Sequence, residues 1–217
     1  LRSLDRLKEE ALHPEHTHRE ILGVAGSPRS GGNSDILLDY ILEDAAGQEI
    51  PAHAVRLRDL SFDTCMGCER CRADKICTGR LDGLSLLYPD IISARGLVLV
   101  SPVHNYNITA LMKAFIDRLY CFYNFDNEHP RGWSSRLGDQ GRKAVIAVVG
   151  EQEDPKDMGI ALEAMRLPLE ALGYDIVGET TVLSTFKRAQ IRKDDEAVAR
   201  ARRLGENLAG AMAADPS

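Results

Sequence analysis

The stretch Ile21–Leu38, ILGVAGSPRSGGNSDILL, limits the possible folds more than any other part of the chain. An apolar run (Ile21–Ala25) passes into a polar, glycine-rich loop (Gly26–Gly32). A helix is expected to open at Asn33 or Ser34, because Ile36, Leu37, Tyr40 and Ile41 then recur at helical spacing. A loop set between a parallel strand and a helix N-terminus leaves several backbone N–H groups without protein partners. The helix dipole adds partial positive charge at the same point, which makes the loop a natural anion site. Ser27, Asn33 and Ser34 can add side-chain donors and Arg29 a fixed charge, enough for a phosphate group. The loop has neither the G-x-x-x-x-G-K-[ST] pattern of ATP-type loops nor the G-x-G-x-x-G of dinucleotide folds. A plain strand-to-helix turn, with Asn33 or Ser34 as N-cap, satisfies the same residues.

The same alternation continues along the chain. Pro51–Leu57 alternates as a second strand, and Asp175–Leu183 predicts a last one. Gly96–Val103 (GLVLVSPV) and Lys143–Gly150 (KAVIAVVG) are the unbroken apolar runs of strands covered on both faces. Helices are expected over Gly83–Ala94, Thr109–Tyr123, Pro155–Gly173 and Asp194–Ala214, with Pro168 kinking or dividing the third of these. Five strands alternating with five helices predict an α/β fold whose parallel sheet carries helices on both faces. Ligands in such sheets bind beyond the carboxyl ends of the strands. One domain is expected over residues 20–217, after an arm of residues 1–19. In that arm Leu4, Leu7 and Leu12 could form a short amphipathic turn, and His13, His16 and His18 are assigned no function. Asn124–Gly141, polar and carrying Trp133, reads as an insertion.

The 217 residues are 44% hydrophobic and 28% charged, enough apolar content for a sizeable core. A net charge of −6 argues against nucleic acid or an anionic membrane surface as partner. No apolar run is long enough to span a membrane. Four of the five cysteines fall within thirteen residues. That crowding suits a metal site in a reducing cytoplasm better than a disulfide scaffold.

Ser101-Pro-Val-His-Asn-Tyr106 is expected where the third strand ends. Pro102 restricts the backbone as it leaves the sheet. Val103 and the side chains of His104, Asn105 and Tyr106 offer apolar, flat and hydrogen-bonding surfaces to a planar ligand, although a well-packed turn would use the same residues. The loop GSPRSGGNS and the run SPVHNY…LMKAFIDR together resemble the flavodoxin-like NAD(P)H-dependent FMN reductases. That resemblance implies a three-layer sandwich with sheet order 2-1-3-4-5. It also implies an FMN phosphate held by Ser27, Asn33 and Ser34 beside Arg29, and a flavin ring held by residues 102–106. The family usually has tyrosine where this chain has His104, so either His104 or Tyr106 could stack on the ring. Relatives place a glycine-rich, flavin-contacting loop at Gly150-Glu-Gln-Glu-Asp154, and only Gly150 carries over.

Cys65, Cys68, Cys71 and Cys77 form C-x2-C-x2-C-x5-C within the loop 65–77. Such spacing lets successive thiolates face one cavity and ligate an iron–sulfur cluster, whereas structural zinc sites more often use two separated C-x2-C pairs. Four bare redox-active thiols are the other reading. Arg70, Arg72, Lys75 and Arg80 would offset the thiolate charge, and Cys121 reads as a core residue. The motif also resembles that of the iron–sulfur flavoproteins, a branch of the same family, and this implies a 4Fe-4S cluster. The combined reading is an oxidoreductase coupling two-electron flavin chemistry to one-electron transfer. Ferredoxin or NAD(P)H would be the donor, a small molecule the acceptor, and the assembly a dimer or tetramer. A clusterless NAD(P)H:FMN or quinone reductase and a flavodoxin-like carrier or redox sensor are the alternatives. The cysteine segment and both flavin loops follow strands one to three, so all three are expected at one edge of the sheet.

Overall fold

The computed structural model describes residues 18–47 and 49–214. The leucines of the arm, with His13 and His16, lie outside the described residues. Five parallel strands form the central sheet: β1 (His18–Ala25), β2 (Ala52–Arg56), β3 (Ala94–Pro102), β6 (Lys143–Val149) and β7 (Asp175–Val182). Their order is β2-β1-β3-β6-β7, the expected 2-1-3-4-5 once the hairpin strands β4 (Tyr123–Phe125) and β5 (Trp133–Ser135) are set aside.

Side-chain alternation along the strands divides the core between two faces. Leu22, Val24, Leu97, Leu99, Ile146 and Val148 point to one face. There they meet Ile91 of α3 (Tyr88–Ser93), Met112 and Phe115 of α4 (Ala110–Arg118), and Met165 and Leu169 of α5 (Glu163–Ala171). Ile21, Ala25, Val98, Val100, Val145 and Ala147 point to the other. Leu38 and Ile41 of α1 (Asn33–Ala46) cover them, with Ala201, Leu204 and Leu208 of α6 (Asp195–Ala214). The short helix α2 (Cys71–Asp74) belongs to the cysteine segment. Neighbouring strands end level, with Ala25 beside Val100 and Pro102 beside Val149. The loops that follow β1, β3 and β6 therefore emerge together.

Several boundaries differ from expectation for local reasons. β1 begins at His18 rather than Ile21, pairing with Ala94 through an irregularity that the polar residues do not announce. The helix expected over 83–94 is a 3-10 turn (Gly83–Leu87) followed by α3, with Pro89 in the first turn of α3. Pro168 lies inside α5 without dividing it. The break falls earlier, where a 3-10 turn (Pro155–Met158) gives way at Gly159, whose φ is +56°. The insertion is not a loop throughout, because Tyr123–Phe125 at its start pairs with Trp133–Ser135 within it as the β4–β5 hairpin. Among the described residues no helix is long and apolar enough to cross a membrane.

Candidate functional site

A cleft of about 520 Å³ opens where β1, β3 and β6 end. Ser27 to Ser30 and Gly32 to Ser34 line one side, Pro102, Val103, His104, Val149 and Glu151 another, and Thr185, Phe186 and Arg188 a third. Gly32 is the N-cap of α1 and supplies no side-chain cap, so neither Asn33 nor Ser34 takes the capping role open to them. The first N–H groups of α1 are thereby left at the cleft. The Ser27 hydroxyl accepts from the Arg29 N–H at 3.2 Å, which folds the loop back on itself. Asn33 also fastens a distant loop to this one. Its Oδ1 accepts from the Ile191 N–H at 3.1 Å and its Nδ2 donates to the Lys187 carbonyl at 3.0 Å. One amide hydrogen of Asn33 stays available for a ligand.

The residues His104–Asn107 close a tight turn. The His104 N–H donates to the Asn107 carbonyl at 2.8 Å and the reverse bond is 3.1 Å, with φ at +50° for Asn105 and +63° for Tyr106. Two successive left-handed residues define a type I′ turn, costly for a tyrosine and sustained here by neighbours. The Tyr106 carbonyl accepts from the Ile160 N–H at 3.0 Å, and Gly159 lies so close that a Cβ there would come within 2.1 Å of that oxygen. The turn separates the expected flavin residues. Pro102, Val103 and His104 line the cleft, whereas Asn105 and Tyr106 line an adjoining hollow with Gly150 and Met158. His104 is therefore the aromatic ring of this loop that borders the cleft.

Cys65, Cys68, Cys71 and Cys77 all border a second cavity of about 260 Å³, together with Met66, Gly79, Arg80 and Tyr120. Gly79 is packed so tightly that a Cβ would sit 2.5 Å from the Cys68 Sγ. Burial, reinforced by the neighbouring thiols, pushes Cys71 up to about 11. Among the described residues no three ligating side chains converge as for a single metal ion.

Three of the four expected basic residues are engaged with the protein itself. Arg72 donates to the Asp126 carbonyl and to Asn127, Lys75 to Asn124, and Arg80 to Asp63. The first two clamp the cysteine loop to the hairpin insertion. The cavity also lies elsewhere than expected. Arg58, just after β2, still donates to the Ser27 carbonyl beside the phosphate loop. The chain then crosses to the far end of α4, where Arg118 donates to the carbonyls of Asp63 and Arg80 and, through two nitrogens, to Asp82. Thr109 at the near end of α4 donates to the Gly26 carbonyl at 2.7 Å. The two cavities thus lie toward opposite ends of a nine-residue helix, about 13 Å long, and share no lining residue.

The model of the NADPH-dependent FMN reductases matches residues 19–186, which include the phosphate loop, the cysteine segment and the His104 turn. The chain belongs to that family. An iron–sulfur flavoprotein of Archaeoglobus fulgidus is 31% identical over 133 residues, covering 61% of this chain and 57% of the relative. One of Methanocaldococcus jannaschii is 29% identical over 99 residues, covering 46% of this chain and 51% of the relative. The chain thus spans little more than half the length of either relative. The solved structure of RosB with a bound riboflavin-phosphate intermediate shares the fold, with a TM-score of 0.69 at 16% identity over 91% of this chain and 80% of that one.

Within this FMN-reductase fold, four residues at or beside the cleft escaped the sequence reading. Asp35 is buried; its carboxylate accepts from the Gly31 N–H at 2.8 Å and from Arg58 at 2.9 Å, which fixes the left-handed Gly31 (φ +62°). Asp35 was visible only as an acid in a first helical turn, and Arg58 only as a cation after a strand. Phe186 and Arg188 come from the loop after β7, which has no motif of its own. Cys121 is buried in the core as expected.

Proposed function

We propose that the chain is an FMN-dependent oxidoreductase whose cleft holds FMN and whose four cysteines hold a 4Fe-4S cluster. The observation that carries this reading is the juxtaposition at the cleft of an uncapped helix N-terminus with cations at one end and Pro102, Val103, His104 and Val149 at the other. A cleft of this size falls within the ordinary range for cofactor sites. The phosphate end would use the N–H groups of Asn33 and Ser34, the hydroxyls of Ser27 and Ser34, and Arg29. The valines, Pro102 and His104 would bound the flavin ring, with Gly150 keeping the adjoining hollow open.

Cys65, Cys68, Cys71 and Cys77 border one cavity that a side chain at Gly79 would obstruct, which suits a bulky thiolate-ligated centre. FMN would supply hydride and single-electron chemistry and the cluster single-electron transfer, neither of which any side chain here can provide. The protein's own residues position the ring, neutralise the phosphate and, through Arg72, Lys75 and Arg118, hold the cysteine segment still. Ferredoxin or NAD(P)H as donor and a small molecule as acceptor fit this chemistry.

Because the two cavities lie toward opposite ends of α4, a second subunit is the economical way to bring a cysteine site near a flavin site. Trp133, 56% exposed on the hairpin, packs edge-on against Tyr123 at 5.4 Å and gives such a contact an aromatic surface. Mass spectrometry of the flavin released from the purified protein tests the reading. FMN is expected, and FAD as the sole species would refute it.

A further inference from the structure

The loop after β7 carries a feature that neither the phosphate motif nor the family match covers, since the match ends at residue 186. Arg188 lines the cleft beside the phosphate loop. Its guanidinium lies over Gly31, where a Cβ would come within 2.9 Å of Nη2. Asn33 grips the backbone on both sides of Arg188, at the Lys187 carbonyl and the Ile191 N–H. Gln190 ties the loop further, accepting from the N–H groups of Phe186 and Lys187 through Oε1 and donating to the Ser184 carbonyl through Nε2. Phe186 reaches across the cleft mouth to Arg29, whose guanidinium carbon lies 5.1 Å from the ring centroid. Among the described residues no carboxylate pairs with Arg29 or Arg188. The acid lining this cleft, Glu151, stands on the ring side, where it also borders the adjoining hollow.

We infer that Arg188 is a second phosphate-binding cation, acting opposite Arg29, so that the cleft selects a flavin carrying a terminal phosphate dianion over one without it. This rests on the FMN reading and adds a residue to it from a separate part of the chain. The chemistry is direct. A phosphate monoester carries close to two negative charges at neutral pH. One guanidinium and a helix N-terminus leave part of that charge uncompensated, and a second planar fork of donors matches it. The tethers from Asn33 and Gln190 hold the loop in place beforehand, so little ordering cost falls on binding. Gly31 holds a left-handed backbone (φ +62°) that a side chain would strain, and its lack of a Cβ lets the guanidinium lie against it. The Phe186 ring beside Arg29 gives that guanidinium a face to rest on, which helps orient it.

The test is a titration of the full chain, freed of flavin, with FMN and with riboflavin, followed by flavin fluorescence at two salt concentrations. The wild-type protein should bind FMN far more tightly than riboflavin. Arg188→Met should weaken FMN by about ten- to a hundred-fold, leave riboflavin unchanged, and reduce the salt dependence of FMN binding. Arg188→Lys should recover part of the loss. If Arg188→Met leaves the FMN affinity intact, or weakens both flavins equally, the inference falls while the FMN reading stands. If the wild-type chain binds neither flavin, both fall together.

Discussion

The most informative single perturbation is Arg118→Met, because this side chain holds both ends of the cysteine segment. The Arg118 side chain is fully buried. It donates to Asp82 Oδ2 at 2.8 Å and Oδ1 at 3.1 Å, to the Asp63 carbonyl at 2.9 Å and to the Arg80 carbonyl at 3.2 Å. Methionine fills much of the volume but leaves the Asp82 carboxylate, only 17% exposed, with the N–H groups of Asp63 and Leu84. Removing one partner of a buried ion pair costs about 3–5 kcal/mol, and the stranded carbonyls push toward the upper end. Native stability is commonly about 5–15 kcal/mol, so the loss should lower the urea midpoint markedly and expose residues 60–82 to proteolysis. The double change Arg118→Met with Asp82→Asn removes the stranded charge and should recover a good part of the loss.

The pair also sets an acid limb. Burial raises the Asp82 carboxyl, but the bonds from Arg118 and from the two N–H groups outweigh it and hold it below the usual range. A depressed carboxyl contributes stability that is complete above its unfolded pKa, about 3.9, and is lost as the pH falls through the lower folded value. Asp82→Asn should flatten that part of the stability profile. Equal urea midpoints for Arg118→Met and wild type, or a double variant no better than the single, would refute the reasoning.

Other outcomes follow from the same geometry. Ser27→Asp sets a carboxylate in the phosphate loop and should lower FMN content at least ten-fold; full flavin content by absorbance would show that the phosphate lies elsewhere. Gly159→Val, at φ +56° and against the Tyr106 carbonyl, should destabilise the chain by more than about 1–3 kcal/mol, read as a lower melting temperature, and disturb the His104–Asn107 turn. Sedimentation velocity should show a dimer or larger species at micromolar concentration that Trp133→Glu shifts toward monomer; a wild-type monomer would contradict a shared site.

What the sequence made legible depended on how local each cause was. The runs in β3 and β6 are apolar on both faces, so Leu97–Val100 and Ala144–Val149 announced buried parallel strands without further context. The strand–loop–helix over Ile21–Leu38 was legible because glycines, serines and a helix start fall within ten residues. The hairpin was not, since strands of three residues such as Tyr123–Phe125 carry too little alternation to register. Asn33 looked like a phosphate ligand or a cap, and its grip on Lys187 and Ile191 spans more than 150 residues of chain. Arg118 was read only as part of a helix and a family motif. Its pairing with Asp82, which carries the cysteine segment to the far end of α4, exists only once the chain has folded. The same holds for His104 and Tyr106, neighbours in sequence that the left-handed turn sends to different hollows.

The central claim joins two redox sites in one chain, and counting their components tests it most directly. The protein should be purified anaerobically and assayed for flavin, iron and acid-labile sulfide, beside Cys68→Ser. The account predicts about one FMN with about four iron and four sulfide per wild-type chain, and for Cys68→Ser an undiminished FMN content with most of the iron gone. Iron and sulfide absent from the anaerobic wild type, or iron unchanged by Cys68→Ser, would contradict it.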